Sequence, residues 1–201
     1  MAAVLKSWRL FGVLAPSISA ANLLGLPYAD FHSARGTEFI VWYAVICALP
    51  CLLVAFTASS VATLWPSRAT RWLVANRRYI GLAFAFGMSW HFVFVAYFLA
   101  TFGYHMRSID LTLDIIGLCF LVAMTLTSFP RFARRLSVAN WKRLHRTGIF
   151  TLWFLPTFFF LDDYLKDHDP LYLEILGVLF AALALRILAW RHRSVAVRSV
   201  A

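Results

Sequence analysis

Two histidines carry most of the chemistry that can be read from this sequence. His91 lies in GMSWHFVFVAYF, in the middle of a long apolar stretch. An ionisable ring at that depth in hydrocarbon is costly and is by default a functional residue whose partner must be named. Neutral imidazole is a common metal ligand and the usual axial ligand of haem iron. The plainer alternative is a ring whose nitrogens bond a neighbouring helix. His145, in NWKRLHRTGIF, stands where another apolar stretch begins, and alone it reads as an interfacial residue among basic neighbours. With Arg78 and Arg143 taken as markers of one interface, His91 lies roughly 20 Å beyond the first and His145 about 3 Å beyond the second. The two rings share a level only where the helix of His145 dips in well before Arg143. His105 follows His91 by fourteen residues, nearly four helical turns, which puts both on one face; it also reads as a helix end meeting water. His32, His168 and His192 sit in polar loops or a basic tail and read as solvated.

These side chains need elements to hold them, and composition says which kind. The chain of 201 residues is 62% hydrophobic and 14% charged. Soluble domains run at about 45–50% apolar and about 25% charged. Here the apolar residues come in blocks of about twenty, the length of a helix crossing a ~30 Å hydrocarbon core. The reading is an all-α membrane protein, a bundle of six transmembrane helices. The expected spans are Leu10–Pro27, Phe39–Trp65, Ile80–Tyr104, Leu111–Phe129, Leu144–Leu161 and Leu171–Trp190. Period-two alternation is absent, so a barrel is not expected. No repeat or linker divides the chain, which reads as one domain over 1–201. The first block lacks a small-residue cleavage site and reads as a retained helix. Cys47, Cys51 and Cys119 all fall inside apolar blocks and read as small buried residues.

The net charge of +10 suggests nucleic acid, and its distribution rejects that partner. Lys and Arg cluster in the gaps between apolar blocks, where they orient a membrane protein. Sixteen of the 19 cationic residues fall at the N-terminus, the second and fourth loops and the C-terminal end. Only Arg35, Arg107 and Lys166 share the other side with all nine acidic residues. Both termini are therefore expected in the cytoplasm. The acidic run Asp162–Asp169 reads as a solvated cap or a docking surface.

Two segments carry a resemblance. ANRRYIGLAFAFGMSWHFVFVAYF, followed by TSFPRFARRLSVANWKRLHRTGIF, resembles the ferric reductase-like transmembrane domain family, in particular its small haem-binding membrane subunits that serve a periplasmic methionine sulfoxide reductase. The shared pattern is a double Arg, a Gly and a His on the third span, Thr-Ser ending the fourth, and Trp-Lys-Arg-Leu-His entering the fifth, within about residues 39–190. The resemblance implies a six-helix bundle in the bacterial inner membrane that binds b-type haem between the third and fifth helices. His91 and His145 fall on family ligand positions, which implies one bis-His haem b. Arg77, Arg78, Arg135 and Arg143 would then stand where propionates emerge, and Trp90 would be a candidate wall of the haem. Family members usually carry another His thirteen residues after the position of His145; this chain has Phe158 there. An outer haem would be left with His105 alone.

No dinucleotide-binding or phosphate-binding glycine motif occurs, so electrons are expected from a separate donor, a flavin reductase or a quinol on the cytoplasmic side. The expected acceptor is a periplasmic reductase. Two other readings stand beside this one: a family descendant without redox activity that serves as a structural or assembly partner, and, last, a small-solute transporter.

Overall fold

The computed structural model describes residues 7–103 and 107–198. They form seven α-helices: α1 Trp8–Gly25, α2 Ala34–Leu64, α3 Arg68–Phe102, α4 Ser108–Thr127, α5 Pro130–Ala133, α6 Val138–Asp167 and α7 Pro170–Arg198. A 3₁₀ turn, Leu26–Tyr28, follows α1, and no strand occurs among the described residues.

Local signals set the helix starts. The Ser67 side chain accepts from Thr70 N–H at 3.1 Å while Thr70 Oγ1 accepts from Ser67 N–H at 2.9 Å. This capping box starts α3 twelve residues before the expected span, so the helix carries Arg68, Arg71, Arg77 and Arg78 on its first turns. At the starts of α2 and α6 the Ser33 and Ser137 side chains accept from Gly36 N–H and Asn140 N–H. α3 stops at Gly103, whose φ of 57° is left-handed and whose N–H bonds Leu99 O; glycine meets no Cβ penalty there. Pro16, Pro50 and Pro156 lie inside helices, a placement that membrane helices tolerate.

Five helices among the described residues are long and apolar enough to cross a bilayer: α1 with its 3₁₀ extension, α2, α3, α4 and α7. Exposed Leu24, Val93, Leu173 and Leu188 suit a lipid surround, and the chain is a multi-pass membrane protein of the all-helical class. α6, which contains the expected fifth span, has 30 residues but is less apolar. Thr147, Thr151, Pro156 and Thr157 interrupt it, and charged residues crowd both ends. Within the span its cavity-lining residues, Ile149, Leu152, Leu155 and Phe159, are apolar; the threonines and the charges at its ends lower its hydropathy.

α2 lies at the centre. It packs most extensively on α3 and also meets α1, α6 and α7. Ala44, Ala48 and Ala55 on α2 are essentially inaccessible, and Gly87 of α3 faces Ala48 so closely that a Cβ there would lie 2.8 Å from the Ala48 Cβ. Small residues allow such approach between helices in lipid. On the other side of α2, Phe56 stacks on Trp153 at 5.7 Å, and Trp153 Nε1–H donates to Leu179 O, tying α6 to α7. α4 packs well on α6 but only thinly on α3. The gap between α3 and α4 is where the cavities lie. Of the cysteines, Cys51 is buried, Cys47 half-buried and Cys119 exposed; all are free thiols.

Candidate functional site: two stacked cavities

Two cavities share the seam between α3, α4 and α6. One, of about 740 Å³, opens at the arginine-rich end and is lined by Arg77, Arg78, Arg134, Thr127, Trp141 and His145 over apolar walls. The other, of about 470 Å³, opens at the acidic end and is lined by His91, Glu38, Asp114, Asp163, Trp42 and Phe159 among others. Leu52, Phe84, Leu121 and Leu152 line both. These four side chains, one each from α2, α3, α4 and α6, form an apolar partition between them.

The partition is a ruler for depth. His91 lies seven residues beyond Phe84 along α3, and His145 lies seven residues before Leu152 along α6. At 1.5 Å per residue each ring stands about 10 Å from the partition, on opposite sides, some 20 Å apart along the bundle. The structure therefore brings His145 together with Arg77 and Arg78, and it does not bring His91 to His145. Phe158, six residues past Leu152, is the α6 position at the level of His91.

His145 is held on two sides. Trp141 stacks on its ring at 4.3 Å, and Trp141 Nε1–H donates to Thr127 O at 3.1 Å. His145 Nε2 lies 3.0 Å from Thr127 Oγ1. That hydroxyl spends its one hydrogen on Ala123 O at 2.6 Å, so it accepts from Nε2–H. The lone pair is thereby left on Nδ1, which has no partner among the described residues.

The arginines around this ring lack acidic partners among the described residues. Arg77 Nε–H donates to Ala55 O at 2.7 Å. Arg78 lies over Tyr79 and Phe129, with its guanidinium carbon 5.4 and 5.8 Å from their centroids, and its Nε is buried with no acceptor. An orphaned guanidinium nitrogen at an apolar slot wants an anionic group from a ligand. Arg143 and Arg135 are exposed and outside the cavity lining. Arg134 takes the place expected of them, because the short α5 turns the chain back under the cavity. Trp90 also departs from expectation: its Nε1–H reaches Ser19 Oγ at 3.2 Å, away from both cavities. His105 lies outside the described residues.

His91 is 6% exposed. Its Nδ1 lies 3.1 Å from Val41 O; a carbonyl only accepts, so Nδ1 carries the proton in the neutral ring and Nε2 the lone pair. Above it, Arg107 bonds Asp110 twice and Asp162 once, and Lys166 bonds Asp162. Lys166 first, and then Arg107, hold the Asp162 carboxyl below its ordinary value. Burial pushes the Asp163 carboxyl up. Among the described residues no three His, Cys, Asp or Glu side chains converge to cage a bare metal ion.

Compared with known protein families, curated proteins and solved structures, the chain matches none.

Proposed function

We propose that this chain is a membrane electron-transfer subunit that holds b-type haem in the cavity of the arginine-rich end. One observation carries the reading: a slot of about 740 Å³ with apolar walls, one fixed imidazole and a rim of unpaired arginines. Its size is that of cofactor sites, and its chemistry suits a flat apolar ring that bears carboxylates. In this reading His145 would supply the protein's iron ligand, and Arg77, Arg78 and Arg134 would balance the propionate carboxylates. His91, on the far side of the partition, is not asked to share that iron.

In the proposal six helices cross the membrane: α1, α2, α3, α4, α6 and α7. α6 crosses as the interior helix, with Ile149, Leu152, Leu155 and Phe159 turned to the cavities. In the same proposal both termini lie in the cytoplasm, a placement supported by the sixteen-to-three division of cations, and the membrane is the bacterial inner membrane. Haem b, when bound, supplies a one-electron carrier. The chain's own residues do the rest. Thr127 and Trp141 fix the plane and tautomer of His145, the arginines would compensate the anionic edge, and Leu52, Phe84, Leu121 and Leu152 set an apolar layer between the two cavities. A separate flavin reductase or a quinol is the donor on the cytoplasmic side, and a periplasmic reductase is the acceptor.

The test is a reduced-minus-oxidised absorption spectrum of the protein purified after expression with haem precursor. Sharp reduced bands that vanish in His145→Ala and persist in His91→Leu are expected. Absence of bands in the unmodified protein sinks the proposal and leaves the structural or assembly role. Loss of the bands in both variants refutes the assignment to one cavity and restores the shared pair.

A further inference from the structure

The cavity of the acidic end has no role in the reading above, and its groups are unbalanced in a particular way. Five carboxylates line it, Glu38, Asp110, Asp114, Asp162 and Asp163, against two cations, Arg107 and Lys166. Those two cations are committed: Arg107 to Asp110 and Asp162, and Lys166 to Asp162 with Asp163 Oδ1 at 3.6 Å. Glu38 and Asp114 have no ion-pair partner among the described residues, and Asp163 Oδ2 is buried with no hydrogen bond. Three negative groups are thus left for something else to balance.

A second and independent observation points inward. His91 is nine-tenths buried, and its Nδ1–H is committed to Val41 O. Nε2 therefore offers a lone pair with no hydrogen-bond partner among the described residues, on a ring that lines this cavity. A backbone carbonyl that fixes the opposite nitrogen is how proteins hold an imidazole to accept through Nε2. Asp114 lies seven residues before Leu121 on α4, so it stands about 10 Å from the partition, at the level of His91. Asp163 stands about 6 Å further out by the same measure. Below His91 and Asp114 the cavity is apolar, walled by Leu49, Met88, Phe84 and Leu152, and Trp42, Phe92 and Phe159 ring the junction.

We propose that this cavity binds a small amphipathic organic cation, an ammonium ion on an apolar body. The apolar body lies toward the partition. The ammonium head sits at the junction, where His91 Nε2 and Asp114 accept its N–H groups and aromatic faces attract its charge. Asp163 and Glu38 attract it at the mouth. A volume of about 470 Å³ falls within the range of small-molecule sites. A carboxylate or phosphate ligand would meet the uncompensated negative charge of this lining. The inference stands on this cavity alone and does not depend on haem in the other.

The experiment is titration calorimetry on the full chain in neutral detergent with three aromatic probes of matched size. These are 2-phenylethylammonium, 2-phenylethanol and 3-phenylpropionate. Saturable binding of the ammonium is expected, at least tenfold tighter than the alcohol, with no binding of the carboxylate. Asp114→Asn and His91→Leu should each weaken the ammonium at least tenfold, and Asp163→Asn, at the mouth, severalfold. Equal affinity for ammonium and carboxylate, no saturable binding, or an ammonium affinity unmoved by all three substitutions would overturn the proposal. Loss of haem bands in His91→Leu would also overturn it, because the Nε2 lone pair would then belong to iron.

Discussion

The close approach of α2 and α3 makes Gly87→Ala a sharp probe. The added Cβ would lie 2.8 Å from the Ala48 Cβ, 3.2 Å from Ile18 Cγ2 and 3.4 Å from the Ala48 Cα. Carbon atoms rest at about 3.5–4.0 Å, so the helices must part locally by close to 1 Å, and a gap of that size forfeits a quarter to a half of the dispersion well between facing atoms. Ala48 is fully buried and a methyl has no rotamer to yield. In lipid, packing of this kind drives helix association, since tails are as apolar as side chains. Overpacking costs about 1–3 kcal/mol, and the better helix propensity of Ala returns about 1 kcal/mol. A net loss of about 1 kcal/mol is expected, growing to about 3 kcal/mol for Gly87→Leu, where the side chain has nowhere to go. The strongest check is the swap. Ala48→Gly with Gly87→Ala moves the methyl from one helix to the other, and the double variant should be more stable than the sum of the singles by about 1 kcal/mol. The assay is unfolding in mixed micelles of increasing sodium dodecyl sulfate, followed by tryptophan fluorescence. Gly87→Ala at or above wild-type stability, or strict additivity in the swap, would refute the reasoning. Because His91 lies one turn along the same helix, its bond to Val41 O on α2 should loosen in parallel.

Three further outcomes are expected. Trp141→Phe removes the N–H that reaches Thr127 O and should lower stability by about 1 kcal/mol in the same assay; an unchanged midpoint would show that the bond contributes nothing. Asp162 is held below its ordinary value by Lys166 and Arg107, so its contribution is complete above about pH 4 and lost as pH falls through the folded value. Asp163, raised by burial, acts in the opposite sense, contributing below its unfolded value and losing that contribution as pH rises through the folded one. Arg107→Gln should therefore reduce stability near neutral pH and flatten its fall on acidification, and an acid limb as steep as wild type would count against the ion cluster. A reporter fused after Trp190 should read as cytoplasmic; periplasmic activity would invert the proposed topology and the side on which each cavity opens.

How much of this was legible in the sequence depends on the range of the interaction. The helical class and the segregation of charge follow from composition and order, because hydrocarbon-length apolar blocks and loop cations act locally along the chain. His91 stood out for the same reason: a titratable ring amid apolar neighbours is conspicuous without any fold. Serine caps at 33, 67 and 137 are also local signals, and the capping box at Ser67 and Thr70 was the available clue that α3 begins well before its apolar part.

What only the tertiary structure decided is which residues share a space. Fourth-loop arginines look equivalent in one dimension, yet after α5 Arg134 lines a cavity while Arg135 and Arg143 do not. The spacing of His91 and His145 from their nearest arginines hinted at unequal depths. Their separation became definite only when Leu52, Phe84, Leu121 and Leu152, from four helices, were seen to meet as one partition. Helix register across a bundle is set by side-chain packing between segments distant in sequence, such as Gly87 against Ala48. The linear pattern fixes the face of each helix that turns inward, but not the height at which two faces meet.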